Sequence, residues 1–520
     1  MPRFIFAVLS CQCLVAAAAP PTTITVDSLA PVGRTDPTRF ASFSFDFTAL
    51  WGVQRTAIPF TDDRLRRLAR NLAPAFVRFG GSLQDRAVTA FAGVAPPPPP
   101  PAGLLQLQLN ESTFDGLVDF ADATGLDLVY GLNAAVGRQT ANGPAAWDSA
   151  NALAPVLRVA ARGARMPVIE IGNEVNVFNC SSDNLAKMSA SQLAAQYAIT
   201  AEAVRALLPG VRIWGSDSSI TGDVVGQCHD WYGDDILGFN RDLFGQPGFA
   251  ALLDAHTWHY YSQDSRNSSS TAEFILSDEY QSRLSTFEVE VRAIRDAAAP
   301  NLPIVMGETA SYWAGGRANV SNRFASGFWY IPQLSTLAAR SYLTHIRQDL
   351  AGGDYGLLDL VLDDNGVVVD FTANPDYFTH ALYQRLVAGV VLSVNASAPA
   401  SAPRVRVWAA CAARAGGGAN GGITIIYANF DATPAPVEIA VTGGGVVGDM
   451  RSEYFLTAGN AALGLASKEI SLNGAILSVG PDLSLPTMQP TVSPTTSPLI
   501  FPPLSYGFVT IDARAPACMQ

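Results

Sequence analysis

VIEIGNEVN, Val168 to Asn176, is an apolar run that closes on two polar side chains, Asn173 and Glu174. A short run of this kind has the look of a parallel strand buried on both faces. A carboxylate at the carboxyl end of such a strand stands where barrel enzymes place their chemistry. If strand alternation holds to the end, Glu170, Gly172 and Glu174 share one face. A second segment, IVMGETASYWAGG from Ile304 to Gly316, repeats the pattern and ends its apolar part at Glu308. Six more segments fit as strands: Ser42–Phe47, Phe76–Gly80, Leu126–Leu132, Val211–Ser216, Leu253–His259 and Tyr342–Gln348. Helical patterns lie between several of them. The clearest is Ser191 to Leu208, with Leu193, Tyr197, Val204 and Leu208 on one face and Pro209-Gly210 as the stop. Eight alternating units predict an α/β fold, a (β/α)8 TIM barrel over residues 41–390. A doubly wound open sheet would fit the alternation nearly as well; the acid-tipped strands favour the barrel.

From about Ser393 the periodicity changes. Val405–Trp408, Ile423–Ala428, Val437–Val441, Ser452–Leu456, Ala475–Val479 and Tyr506–Ile511 are expected strands, separated by Gly, Asn and Pro turns. Asn473-Gly474 is a strong hairpin signal. Residues 391–520 are therefore expected to form a C-terminal all-β sandwich, and residues 20–40 an N-terminal strand that could join it. Pro96–Pro101 predicts a stiff surface insertion. Pro486 to Pro503, rich in Pro, Ser and Thr, is expected to be a loop open to O-linked sugar.

The chain has 520 residues, 48% apolar and 15% charged, with a formal charge of −12. That composition excludes disorder, which needs low hydrophobicity and high charge. Only two lysines occur, Lys187 and Lys468. Nucleic-acid binding needs clustered cations, so no nucleic-acid partner is expected. Met1-Pro-Arg3, the apolar stretch to Val15 and the small residues Ala16 to Ala19 have the layout of a signal peptide over 1–19. A secreted protein is expected, with a lysosomal, vacuolar or membrane-associated destination as the alternative and no integral span after leader removal. Four cysteines then remain, Cys180, Cys228, Cys411 and Cys518. They allow three connectivities, of which chain proximity favours Cys180–Cys228 and Cys411–Cys518. Glycosylation triplets start at Asn110, Asn179, Asn267, Asn319 and Asn395.

The two acids carry the chemistry. An isolated Asn-Glu after a strand is more often half of a salt bridge than a catalyst. Two glutamates at the tops of the fourth and seventh strands are a different matter, because both can point into one cleft. Glycoside hydrolysis needs two such carboxyls: one protonated to help the leaving oxygen depart, one ionised to attack the anomeric carbon. A separation of about 5–5.5 Å would imply retention through a glycosyl-enzyme. The five histidines show no metal spacing and no phosphate-binding glycine loop occurs, so no metal and no organic cofactor are expected.

In the order and spacing of its motifs the chain resembles the heparanase-like glycosidases, glycoside hydrolase family 79. The likeness runs through FDF around Asp46, VRFGGS (Val77 to Ser82), LDLVYGLNA (Leu126 to Ala134), IGNEVN and TWHYY (Thr257 to Tyr261). It continues through GETASYWAGG, IRQDLAGGDYGLLD (Ile346 to Asp359) and the terminal LSYGFVTI. The resemblance implies a β-glucuronidase with Glu174 as acid/base, Glu308 as nucleophile and Asn173 bonded to the sugar 2-hydroxyl. It implies a glucuronate-carboxylate pocket from Gly315, Gly316 and Tyr355, and further substrate contacts from Asp46, Ser82 and His259. Asp46 could equally be a strand-end cap, and His259 a satisfied barrel histidine. Arg78 with Glu170 fits an inward ion pair. Trp258, Tyr260 and Tyr261 fit core or sugar platform alike, and Trp313 is the better platform.

Two departures bear on the substrate. Animal members carry a long excisable linker after the second barrel strand, whereas Ala87 to Leu109 is short and proline-rich. Their basic clusters for sulfated chains are also missing: Leu104–Gly116 and Asp223–Gly248 hold only Arg241 and several acids. The expected partner is a weakly sulfated glucuronic-acid-containing polysaccharide or glycoprotein glycan. The competing expectations are a barrel glycosidase for a neutral sugar and a catalytically inactive glycan-binding relative.

Overall fold

The computed structural model describes residues 21–52, 56–97, 106–137, 147–178, 185, 187–222, 235–413 and 421–519. The expected leader, Cys180, Cys228, Asn179 and most of Pro96–Pro101 lie outside the described residues. Eight parallel strands close into a barrel in chain order: Ala41–Asp46, Phe76–Gly80, Asp127–Leu132, Val168–Ile171, Arg212–Thr221, Ala255–Tyr261, Ile304–Ala310 and Tyr342–Arg347. The eighth pairs back on the first through His345↔Ala41 and Arg347↔Phe43. Seven strands each give one side chain to an apolar cluster: Phe76, Val129, Val168, Trp214, Ala255, Val305 and Ile346. Burying side chains of this size stabilises the fold by about 1.5–3 kcal/mol each. Two residues further along the same strand faces come Arg78, Glu170 and Thr257, so the apolar cluster is the floor on which the polar site rests.

Strand positions match the sequence expectation to within a few residues, and three of the ends that differ bear on the site. The fifth strand runs past Ser216 to Thr221, because the polar run still pairs, Ser218 with Trp258 and Thr221 with Tyr261. The seventh continues past Gly307 to Ala310. The fourth stops at Ile171, where Gly172 and Glu174 take positive φ values of 75° and 54°. The expected alternation of Glu170, Gly172 and Glu174 is therefore broken, and Glu174 owes its direction to a left-handed backbone.

The all-β region is one eleven-stranded sheet that folds over itself. Ile423–Asn429 and Leu499–Phe501 lie five strand spacings apart in its order, about 24 Å if the sheet were flat. Yet the Tyr427 and Phe501 rings stack at 3.7 Å. Alternation divides the burial: Ile423, Ile425 and Tyr427 line the core between the two layers. Ile426 and Ala428 join the core shared with the barrel. The strand Thr22–Arg34 sits inside this sheet, antiparallel to Val387–Ser397 and parallel to Ala435–Thr442. Within the stretch expected to be a loop, Thr491–Pro494 and Leu499–Phe501 are strands. The second is an end strand of the sheet, where flanking prolines are tolerated; its Leu499 and Phe501 are buried and Ile500 is exposed. The expected strand at Ala475–Val479 shrinks to Ala475–Ile476.

Cys411 and Cys518 form a disulfide with a Cα–Cα distance of 5.3 Å and a sequence separation of 107. A closed loop of that length stabilises mainly by restricting the unfolded chain. Replacing both cysteines by serine is expected to lower stability by about 2–5 kcal/mol, read from the denaturant midpoint. Asn110, Asn267, Asn319 and Asn395 are exposed. Among the described residues, no helix is long and apolar enough to cross a membrane.

Candidate active site

Arg78, on the second strand, is fully buried and organises the barrel mouth. Its Nε donates to Glu170 Oε2 at 2.6 Å, Nη1 to Glu308 Oε2 at 2.9 Å and Nη2 to Asn173 Oδ1 at 3.0 Å. The expected Arg78–Glu170 ion pair is thus present, and the same guanidinium also holds Glu308 and Asn173. Gly81 N–H donates to Asn173 Oδ1 as well, at 3.1 Å. With its oxygen occupied, Asn173 has its Nδ2 group left to donate; that group has no protein partner among the described residues. Asp85 fixes the backbone of this turn, accepting from Asn173 N–H and Ala134 N–H at 2.7 Å each.

Glu308 is 7% exposed. Its Oε1 accepts from the Tyr261 hydroxyl at 2.6 Å. Burial raises its carboxyl above the usual glutamate range, while the positive charges of His259 and Arg78 pull the other way. Glu174 lies across the mouth, and its Oε1 is 3.0 Å from His259 Nδ1. Carboxylate oxygens of Glu174 and Glu308 and a ring nitrogen of His259 all lie within 4.8 Å of one another. Burial alone would lower His259. The carboxylates of Glu308, Asp217 and Glu174 more than reverse this and push it up to about 10. An imidazolium donates from both ring nitrogens, so a protonated His259 can serve a carboxylate on each side. Burial and the Asp217 charge raise Glu170 to about 8, against the pull of Arg78.

A second cluster lies in the loops after the seventh and eighth strands. Gly315 and Gly316 have φ of 92° and 88°. A Cβ on Gly316 would lie 2.6 Å from the backbone nitrogen of Tyr355, so only glycine permits this approach. Tyr355 is 3% exposed, and its carbonyl accepts from Arg347 Nη2 at 2.8 Å. Arg347 is itself held by Asp376 at 2.8 Å.

Of the residues singled out from the sequence, Glu174, Glu308 and His259 meet directly, and Asn173 is tied to Glu308 through Arg78. Asp46 adjoins them: its Oδ2 accepts from Gln348 at 3.0 Å, a Cβ on Gly81 would lie 2.6 Å from that oxygen, and its charge acts on Glu308. Asp46 also accepts from Thr48 N–H at 2.8 Å, the strand-end cap weighed as its alternative. Gly315, Gly316 and Tyr355 come together. Ser82 is exposed in the turn after the second strand. Trp258 is buried with its indole N–H on the Tyr342 hydroxyl, a core role. Trp313 carries the Arg266 guanidinium 5.0 Å from its ring centre. Sequence reading missed Asp217 and Asp85, and it weighed Tyr261 as core or sugar platform rather than as a donor to Glu308. Tyr261 had a usable signal, since alternation along Ala255–Tyr261 puts it on the face of His259.

A parallel eight-stranded barrel with two glutamates meeting over its mouth is the arrangement of a barrel glycosidase. The chain belongs to glycosyl hydrolase family 79, whose N-terminal domain matches residues 54–335. It is 27% identical to the heparanase of Gallus gallus, covering 94% of this chain and 95% of that protein. It is 28% identical to inactive heparanase-2 of Homo sapiens, over 79% of this chain and 66% of that protein. A crystal structure of a 4-O-alpha-L-rhamnosyl-beta-D-glucuronidase from Fusarium oxysporum shares the fold. Its TM-score is 0.62 at 17% identity, covering 94% of this chain and 100% of that one.

Proposed function

We propose that this family 79 glycosidase is a secreted, retaining β-glucuronidase that cleaves glucuronic-acid-containing glycans. The carrying observation is the approach of Glu174 and Glu308 to within 4.8 Å, with His259 beside them. Retaining enzymes hold their carboxyls about 5–5.5 Å apart, and inverting enzymes about 6.5–9.5 Å to seat a water. In the first step Glu174 gives its proton to the glycosidic oxygen as Glu308 attacks C1, and the C1–O bond to the aglycone breaks. In the second, Glu174 takes a proton from water, whose oxygen attacks C1 and frees Glu308. The donors on Glu308, Arg78 and Tyr261, favour its carboxylate form. Asn173 offers its Nδ2 group to the 2-hydroxyl.

The preference for a uronic acid rests on Gly315, Gly316 and Tyr355. Two adjacent glycines with positive φ expose backbone N–H groups that can cradle an anion, and a tyrosine hydroxyl can complete the cradle. The leader-like N-terminus and the Cys411–Cys518 disulfide fit an oxidising, secretory route. The test is a pair of aryl β-glycosides that differ only at C6. The glucuronide is expected to be turned over at least about 10²-fold faster than the glucoside, since an unfilled anion site forfeits charge-assisted bonds. Its first-formed product is expected to be the β-anomer by proton NMR. Faster turnover of the glucoside would overturn the uronic-acid pocket; binding without turnover of either would assign the chain to the inactive relatives.

A further inference from the structure

Asp217 bears on Glu174 directly through its backbone and indirectly through His259. It stands on the fifth strand with φ of 53°, and its backbone carbonyl accepts from Glu174 N–H at 2.9 Å. That bond holds the left-handed turn by which Glu174 enters the mouth. The side chain is fully buried, and its Oδ1 lies 3.7 Å from His259 Nε2, an ion-pair distance. The other ring nitrogen of His259 is the one on Glu174, at 3.0 Å. Thr257 holds Asp217 from both sides, its hydroxyl donating to Oδ1 and accepting from Asp217 N–H at 3.1 Å. Among the described residues, neither Asp217 Oδ2 nor His259 Nε2 has a hydrogen-bond partner. The ion pair helps offset burial of these two charges, beside the Thr257 hydroxyl on Asp217 and the Glu308 and Glu174 carboxylates around His259.

We propose that Asp217 is a positioning residue for Glu174: it holds His259 as an imidazolium that donates to the Glu174 carboxylate each time that group is ionised. The inference rests on the acid/base reading of Glu174. A neutral imidazole carries one N–H and can serve Glu174 or Asp217, but not both. The charged form serves both at once, and burial makes the protonated ring dependent on its anions. The other groups bearing on the pair are Glu308 from the seventh strand, Arg78 from the second and Glu170 from the fourth. Tyr197, on the helix Ala190–Leu207, also feels Asp217. Arg78 is the only other cation of this group, and it is engaged with Glu170, Glu308 and Asn173.

Asp217→Asn keeps the size and the backbone carbonyl and removes the charge. Acid assistance matters most for poor leaving groups, so the variant is expected to lose roughly 10–100-fold in kcat/KM for phenyl β-glucuronide. The loss for dinitrophenyl β-glucuronide is expected to stay under about threefold. In parallel, imidazole NMR of the histidine-labelled protein is expected to show one ring protonated at pH 8 in the parent and neutral at that pH in the variant. Thr257→Val, which removes only the hydroxyl on Asp217, is expected to shift both readouts the same way by less, and serves if Asp217→Asn does not fold. Equal losses on the two substrates with an unchanged imidazole would overturn the proposal and leave Asp217 a structural residue. A parent inert on every glucuronide, with the imidazole still responding to Asp217→Asn, would overturn the substrate reading and keep the Asp217–His259 link.

Discussion

Glu308→Gln is expected to lower kcat for an aryl β-glucuronide by on the order of 10⁴–10⁶-fold, the scale seen when a covalent nucleophile is removed. The amide cannot form the glycosyl ester. It retains the shape of the side chain and one acceptor oxygen for Arg78, which donates to Glu308 at 2.9 Å. The amide NH2 can in turn donate to the Tyr261 hydroxyl oxygen. The thermal midpoint is therefore expected to stay within a few degrees of the parent, which separates lost chemistry from lost fold. Burial raises the Glu308 carboxyl, and attack needs the ionised form, so activity must fall as pH drops through that raised value. The acid limb of kcat/KM against pH is expected above the ordinary glutamate range. A limb at or below that range would contradict the assignment, as would full turnover by the amide variant.

Glu174→Ala is expected to behave differently. The first step loses its acid, which costs about 10²–10⁴-fold for phenyl β-glucuronide and far less for dinitrophenyl β-glucuronide. The second step loses its base, so the glycosyl-enzyme should accumulate. Sodium azide needs no base and can enter the space the carboxylate leaves beside His259. Its terminal nitrogen attacks C1, the bond to Glu308 breaks, and β-glucuronosyl azide is the expected product. Azide rescue at Glu174→Ala, and its absence at Glu308→Gln, would assign the two roles separately. An α-configured azide, or rescue at position 308 alone, would reverse them.

The barrel was legible because strands buried on both faces are short apolar runs, and each began within a residue or two of its expected place. Both acids were legible because each follows such a run directly. Their surroundings were not. The fifth strand passes through Gly215-Ser-Asp-Ser-Ser219, which carries no apolar signature, so Asp217 was passed over although it lies between two catalytic candidates. The turn at Gly172 and Glu174 breaks the period-2 pattern, and only backbone geometry shows how Glu174 reaches the mouth. The sheet of the all-β region was harder still. Val387–Ser397 follows the helix Pro375–Leu386 without a turn signal, and the short strands near Pro494 and Pro502 sit where composition argues against pairing.

The place of Thr22–Arg34 between Val387–Ser397 and Ala435–Thr442 imposes an order on biosynthesis. This segment leaves the ribosome several hundred residues ahead of both its neighbours. At about 5–20 residues per second it waits for tens of seconds with Ile24 and Val26 uncovered. Over that interval it is a naked β-template, open to capture by other nascent chains. A fragment starting after Arg34 would leave a missing rung in the middle of the ladder, so the C-terminal half is not expected to be separable as a soluble unit.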